Sequence, residues 1–229
     1  MSGDPLFPIA LSLRVAALAV LWVGPPGLAL AWLQARRRYP GRALVDALVL
    51  LPLVLPPTVV GYFLVVCFGR YAPIGRALEA LFDARVVFTP AAAVIASAIV
   101  ALPLLVKTAQ PALEAVPAEL EEVGRSLGLG PAALFARVTL PAAWQGVAAA
   151  FVLAFARAVG EFGATLMFAG NIPGRTNTMP LELYSAWQAG EEGRALLYVG
   201  VLSSVSLGVV LLAPRLAPRA QAFLERPHS

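Results

Sequence analysis

Apolar residues run along this chain in five long blocks, separated by short stretches where arginine, glutamate, glycine and proline gather. The blocks cover about residues 9–33, 44–68, 86–106, 145–170 and 196–212. Each is near the roughly 20 apolar residues that a helix needs to cross a hydrocarbon core about 30 Å thick. The pattern predicts an all-α integral membrane protein with five transmembrane helices, built as a single transmembrane domain over residues 1–229. The first block is too long for a cleaved signal peptide and leads into no soluble domain, so it reads as a retained helix. Prolines punctuate the blocks. Pro25-Pro26 is expected to kink or break the first, Pro52 and Pro56-Pro57 to bend the second, and Pro103 to interrupt the third. A bent second helix fits a place beside a gate, and fits a purely structural kink equally well.

The connections carry patterns of their own. Between residues 73 and 82, Ile74, Ala77, Leu78, Leu81 and Phe82 recur at helical spacing with Arg76 and Glu79 between them, which predicts a short amphipathic helix at the interface. Residues 170–181 are rich in glycine, proline and asparagine and read as an external turn. Leu183 to Ala189, with Tyr184 and Trp187, reads as an interfacial helix. Residues 107–144 form the one long polar connection. Within it Pro117 is placed to open a helix carrying Glu119, Glu121 and Glu122 in its first turns, where carboxylates complement the helix dipole. Gly128 and Gly130 are expected to stop that helix, and Pro131 to start a second short one through Arg137. The product is a compact helical knob suited to a groove on another protein.

Charge sets the orientation. The cluster Arg36, Arg37, Arg38 and Arg42 follows the first block, and the positive-inside rule puts it in the cytoplasm and the N-terminus outside. The alternating topology then leaves residues 107–144 and the C-terminus inside. The inner segments collect Arg36, Arg37, Arg38, Arg42, Lys107, Arg125, Arg137, Arg215, Arg219 and Arg226, against Arg70, Arg76, Arg85, Arg175 and Arg194 outside. That two-to-one excess makes the net charge of +4 a topology signal rather than a nucleic-acid footprint. The chain is 59% hydrophobic and 13% charged, against about 25% charged in soluble domains.

Absences narrow the chemistry. The lone histidine, His228, lies in the tail, the lone lysine, Lys107, follows no glycine-rich loop, and the lone cysteine, Cys67, leaves no intrachain disulfide. Neither a histidine-based catalytic site nor a phosphate-binding Walker loop is available. In the fourth block Arg157 and Glu161 stand four apart, so on a continuous helix they share a face and pair near the bilayer midplane. A charge there costs roughly 2.5–3.5 kcal/mol on insertion scales, so that face should look into protein or a wet cavity. It lines a translocation path or subunit contact, or it is a structural ion pair. Gly160 and Gly163 form a G-x-x-G step for close helix packing, and Thr165 follows on the same segment.

The stretch from Glu122 to Pro141 resembles the signature loop of the membrane subunits of type I ABC importers, E-A-A, three residues, G, nine residues, I-x-L-P. Glu122, Gly128, Val138, Leu140 and Pro141 stand at the matching positions, with Val123 and Gly124 replacing the alanines. The run Leu51 to Tyr62, and Gly160 to Thr165 with Gly170 to Leu181, are similar to molybdate permeases of that class, with sulfate and tungstate permeases as near relatives. The resemblance implies a pore formed by a second copy of the chain as a two-fold homodimer, in a bacterial cytoplasmic membrane. It further implies ATP-binding cassette ATPase subunits at the cytoplasmic face and an oxyanion-binding protein outside. On that reading the chain is not an enzyme and binds no cofactor, ATP being used by the partner. Glu121, Glu122, Gly124, Gly128, Gly130, Val138, Leu140 and Pro141 would couple to the ATPase, with Gly128 making the corner and Leu140-Pro141 fixing where the knob rejoins the fourth crossing. Arg157, Gly160, Glu161, Gly163 and Thr165 would form the path or gate. The reading from another class is a passive channel, which predicts no stable ATPase partner.

Overall fold

The computed structural model describes residues 4–216 apart from residue 84, and those residues form helices and turns without a strand. Arg219 and Arg226, used above to place the C-terminus, lie outside them, as does the side chain of Arg215. In chain order the helices are α1 (Leu6–Arg36), α2 (Arg42–Val54), α3 (Pro57–Phe68), α4 (Pro73–Phe82), α5 (Pro90–Glu114) and α6 (Ala118–Ser126). Then come α7 (Pro131–Leu134), a π turn (Phe135–Thr139), α8 (Leu140–Val159), α9 (Gly163–Phe168), α10 (Met179–Gln188) and α11 (Glu192–Leu216).

Small residues decide the packing. α5 presents Ala92, Ala93, Ala96, Ala101 and Ala109, all fully buried, and lies between α1 and α8. α8 answers with Ala143, Val147, Ala150, Ala154 and Ala158, a 4-3-4-4 ladder along one face. In lipid, where side-chain hydrophobicity offers little reason for helices to meet, such close backbone approach supplies the attraction. Thr89 caps α5, its hydroxyl accepting from the Ala92 N–H, and Pro90 fixes the first turn.

Four segments among the described residues are long and apolar enough to cross a membrane alone: α1, α5, Pro131–Val159 and α11. The second expected crossing, 44–68, is not one rod. It is α2 and α3, bent by 111° at Leu55-Pro56, and counts as a span only if its halves act together. Two consecutive prolines remove two backbone donors, and Leu55 and Pro56 both turn extended, with ψ of 144° and 133°. Pro25-Pro26, by contrast, neither breaks nor ends α1.

Other boundaries shift as well. α5 continues through Pro111 to Glu114, so Lys107 lies within the helix rather than at its end. There Lys107 pairs with Asp46 at 2.5 Å, and Asp46 also accepts from Gln34 at 3.0 Å, which joins α1, α2 and α5. The fourth crossing begins at Pro131, not 145, because α7, the π turn and α8 follow one another without a break, and it ends at Val159, not 170. The 107–144 connection thus shrinks to about 115–130. The amphipathic helix at 73–82 forms where expected. The turn-rich segment after 170 is folded inward, with Thr176, Asn177 and Thr178 buried. The interfacial helix starts four residues early, at Met179, burying Met179 to Glu182 and turning Trp187 outward. At that end Ser12 accepts from the Met179 N–H at 2.7 Å, and Glu182 pairs with Arg194 at 2.6 Å.

Candidate functional site

Two clusters of predicted site residues form, at different depths. The first is built on α6. Its carboxylates divide by face. Glu121 is 5% exposed and holds three partners: Arg36 of α1 at 3.0 Å, Arg125 one turn on at 3.1 Å, and the Thr139 hydroxyl, which donates to it at 2.8 Å. Arg36 also donates to the Val116 carbonyl at 3.0 Å. One buried carboxylate therefore bolts α6 to the end of α1 and to the π turn. Glu122, the residue at the signature position, points the other way and is exposed beside Leu120, Val123 and Leu127, which are 48%, 61% and 77% exposed. Spacing of three and four gathers these three apolar side chains into one stripe.

Gly124 explains how tightly this helix sits. A Cβ there would lie 2.5 Å from Leu134 Cδ1, so α6 sits closely enough on α7 that any larger residue would make Leu134 shift. The corner after α6 belongs to Gly128 alone. With φ of +80° it donates to the Arg125 carbonyl while Leu129 donates to Gly124, the paired bonds of a Schellman motif. Gly130 has φ of −70° and open space around it, so it is no part of the corner and instead precedes α7. Nor do Leu140 and Pro141 mark a junction between separate helices. Pro141 has no N–H to offer and its ring crowds the carbonyl four residues back. The ladder widens into the π turn there, the Leu140 N–H reaching the Phe135 carbonyl, and Val138 lies inside that turn. Trp32 of α1 packs edge-on against Phe135, ring centroids 5.8 Å apart.

The second cluster surrounds Glu161. Arg157 and Glu161 pair at 2.8 Å, with the Glu161 side chain 1% exposed. They do so across a break rather than along a continuous helix, since α8 ends at Val159 and α9 begins at Gly163. The other carboxylate oxygen accepts from the Ala164 N–H at 2.8 Å. Glu161 is thus a splint holding two helix ends. Gly160 terminates α8 and faces no neighbouring helix, so only half of the G-x-x-G step serves packing. Gly163 supplies it: a Cβ there would sit 2.9 Å from Pro57 Cβ, and one on Gly61 would sit 2.8 Å from the Ala164 carbonyl oxygen. The start of α9, just past the break at 160–162, is therefore stacked closely against the start of α3 just beyond the break at Pro56. Thr165 is buried beside it, its hydroxyl without a hydrogen-bond partner. Irregular backbone at membrane depth is tolerated only inside protein or along a cavity.

Sequence reasoning missed Thr139, Gly61 and the anchoring role of Arg36, which had read only as a topology charge. The one signal for Gly61 was its place after Pro56-Pro57. Among the described residues no three histidine, cysteine, aspartate or glutamate side chains converge on a metal-sized space.

Comparison with known proteins adds to this geometry. The family described as "binding-protein-dependent transport system inner membrane component" matches residues 27–221. The molybdenum transport system permease protein ModB of Escherichia coli K12 is 44% identical over 206 residues, 89% of each chain. The Haemophilus influenzae protein of the same name is 42% identical over 220 residues, 94% of this chain and 95% of that one. A probable sulfate transport system permease protein, cysT, of Nephroselmis olivacea is 35% identical over 88% of this chain and 71% of its own length. The fold is shared with a crystal structure of an amino acid ABC transporter, at a TM-score of 0.59 and 18% identity over 94% of this chain and all of that one.

Proposed function

This chain belongs to the binding-protein-dependent transport system inner membrane components, and from that premise we propose that it is the pore-forming permease subunit of an ATP-driven molybdate importer. It is a multi-pass protein of the bacterial inner membrane. Two copies would form the pore, an extracytoplasmic binding protein would deliver the oxyanion, and ATP would be hydrolysed by separate subunits on the side where α6 lies. The N-terminus would then face outward.

The observation that carries this reading is the two-sided α6. Its inner face is fixed by Glu121 and Gly124, while its outer face offers Leu120, Val123 and Leu127 with Glu122 beside them. An exposed apolar stripe flanked by a carboxylate suits a helix lying in a partner's groove. A passive channel has no use for such a surface. Because α6 is bolted to α1 and the π turn, a push on its outer face moves α7 and α8 as one body. The motion then reaches the break at 160–162 and, through Gly163 and Gly61, the bent α2–α3 pair. Packed bodies with two arrangements convert such a displacement into a switch. With Arg157 neutralising Glu161, the midplane presents no net charge to repel a dianion.

The test is binding-protein-dependent uptake in proteoliposomes of the complete importer, with molybdate, tungstate and sulfate in competition. Molybdate should be taken up against excess sulfate, and Glu122→Lys should abolish binding-protein-stimulated ATP hydrolysis. Sulfate displacing molybdate would favour the sulfate reading, for which the 35% identity to the sulfate permease stands. An unaltered stimulated rate in Glu122→Lys would remove α6 from the coupling.

A further inference from the structure

Two cavities meet beside the joint. The first is an apolar groove of 670 Å³ running along α1 between Pro25, Leu28 and Trp32 on one wall and Pro131, Phe135 and Phe151 on the other. The second, of 480 Å³, opens at its end between Arg36, Arg37, Arg125 and Glu121. Trp32 and Pro131 line both, so the two spaces adjoin. Three guanidinium groups face one carboxylate. Glu121 engages Arg36 and Arg125, yet the buried Arg36 Nε has no hydrogen-bond partner, and Arg37 makes no ion pair among the described residues. The surplus positive charge sits where an apolar channel ends, at the arginine-rich end of the bundle.

The geometry points to a bound anionic phospholipid, its phosphodiester between Arg37 and Arg125 and one acyl chain laid along α1 in the groove. Charge selects the headgroup, since basic residues near a membrane surface attract anionic lipid additively. The apolar groove selects a lipid over a free phosphate, which would leave it empty. A lipid seated here would lie beside Arg36, which anchors α6, and the inference rests on the membrane location and not on which oxyanion is carried.

Native mass spectrometry of the full chain in neutral detergent, titrated with phosphatidylglycerol and with phosphatidylcholine, tests it. Phosphatidylglycerol should be retained preferentially, and Arg37→Gln and Arg125→Gln should each weaken retention about fivefold. Ala29→Trp, which fills the groove from an exposed position and leaves the charges alone, should abolish retention. Glycerol phosphate should not compete. Equal retention of the two lipids, or full retention in Ala29→Trp, would overturn the proposal. Effective competition by glycerol phosphate would reduce the site to a simple anion pocket. Disulfide formation between two Ala29→Cys chains in the membrane would hand the groove to a second copy instead. Arg37, exposed and unpaired, gives a variant whose folding is not at risk.

Discussion

Glu121 and Glu161 are both buried and both paired with arginine, yet they do different mechanical work. Glu121 reaches residues 85 and 18 positions away and fastens three elements together. Glu161 reaches only four residues back and three forward, and ties two helix ends together across a gap. One is a cross-link and the other a splint. Burial and pairing alone therefore say little about what a membrane carboxylate is for. The sequence distance to its partners says more.

That contrast can be broken most severely at the splint. Glu161→Ala leaves Arg157 without its counter-ion and the Ala164 N–H without its acceptor, and should cost about 3–5 kcal/mol of stability in a denaturing-detergent titration. A loss no larger than that of a surface substitution would mean water has access to the break. At the cross-link, Glu121→Gln keeps the shape but weakens three contacts, a loss of about 1.5–3 kcal/mol. Its distinguishing mark should be faster proteolysis between residues 115 and 130, with α8 and α9 still protected. Uniform loosening of the whole chain would erase the distinction between the two carboxylates. The smallest effect belongs to Arg125→Gln, because that side chain is 58% exposed. It should change stability by less than about 1 kcal/mol, and a larger loss would show Arg36 insufficient to hold Glu121.

Much of this was legible beforehand, for reasons that differ by residue. Helix existence follows from the apolar blocks, the knob from Pro117, Gly128 and Pro131, and the family resemblance from the spacing between Glu122 and Pro141. What stayed hidden depends on three-dimensional neighbours. Pro25-Pro26 and Pro56-Pro57 are the same dipeptide, yet α1 runs on and α2 does not. The residue before the proline does not decide it, since Leu51-Pro52 and Leu102-Pro103 both stay helical. Packing separates the two: α1 is clasped by α5 and α8, while α2 buries only Val49. The Arg157–Glu161 spacing imitates a continuous helix so well that the break between them is invisible in the one-dimensional pattern. Glu121 read as a dipole-compensating charge because its partners Arg36 and Thr139 lie far off in sequence. The exposure of Glu122 could not be separated from the burial of its neighbour without knowing which face Gly124 presses inward.

The π turn at Phe135–Thr139 carries a consequence for how such a chain changes over time. A wide turn is a helix that has absorbed one additional residue, so deleting Ala136 should restore ordinary winding and leave the flanking segments on nearly their present faces. The same deletion one turn further on, within the regular winding of α8, would rotate everything N-terminal to it by about 100° around the axis. The loss of a single codon is therefore tolerable inside the wide turn and would re-aim the exposed stripe of α6 just beyond it.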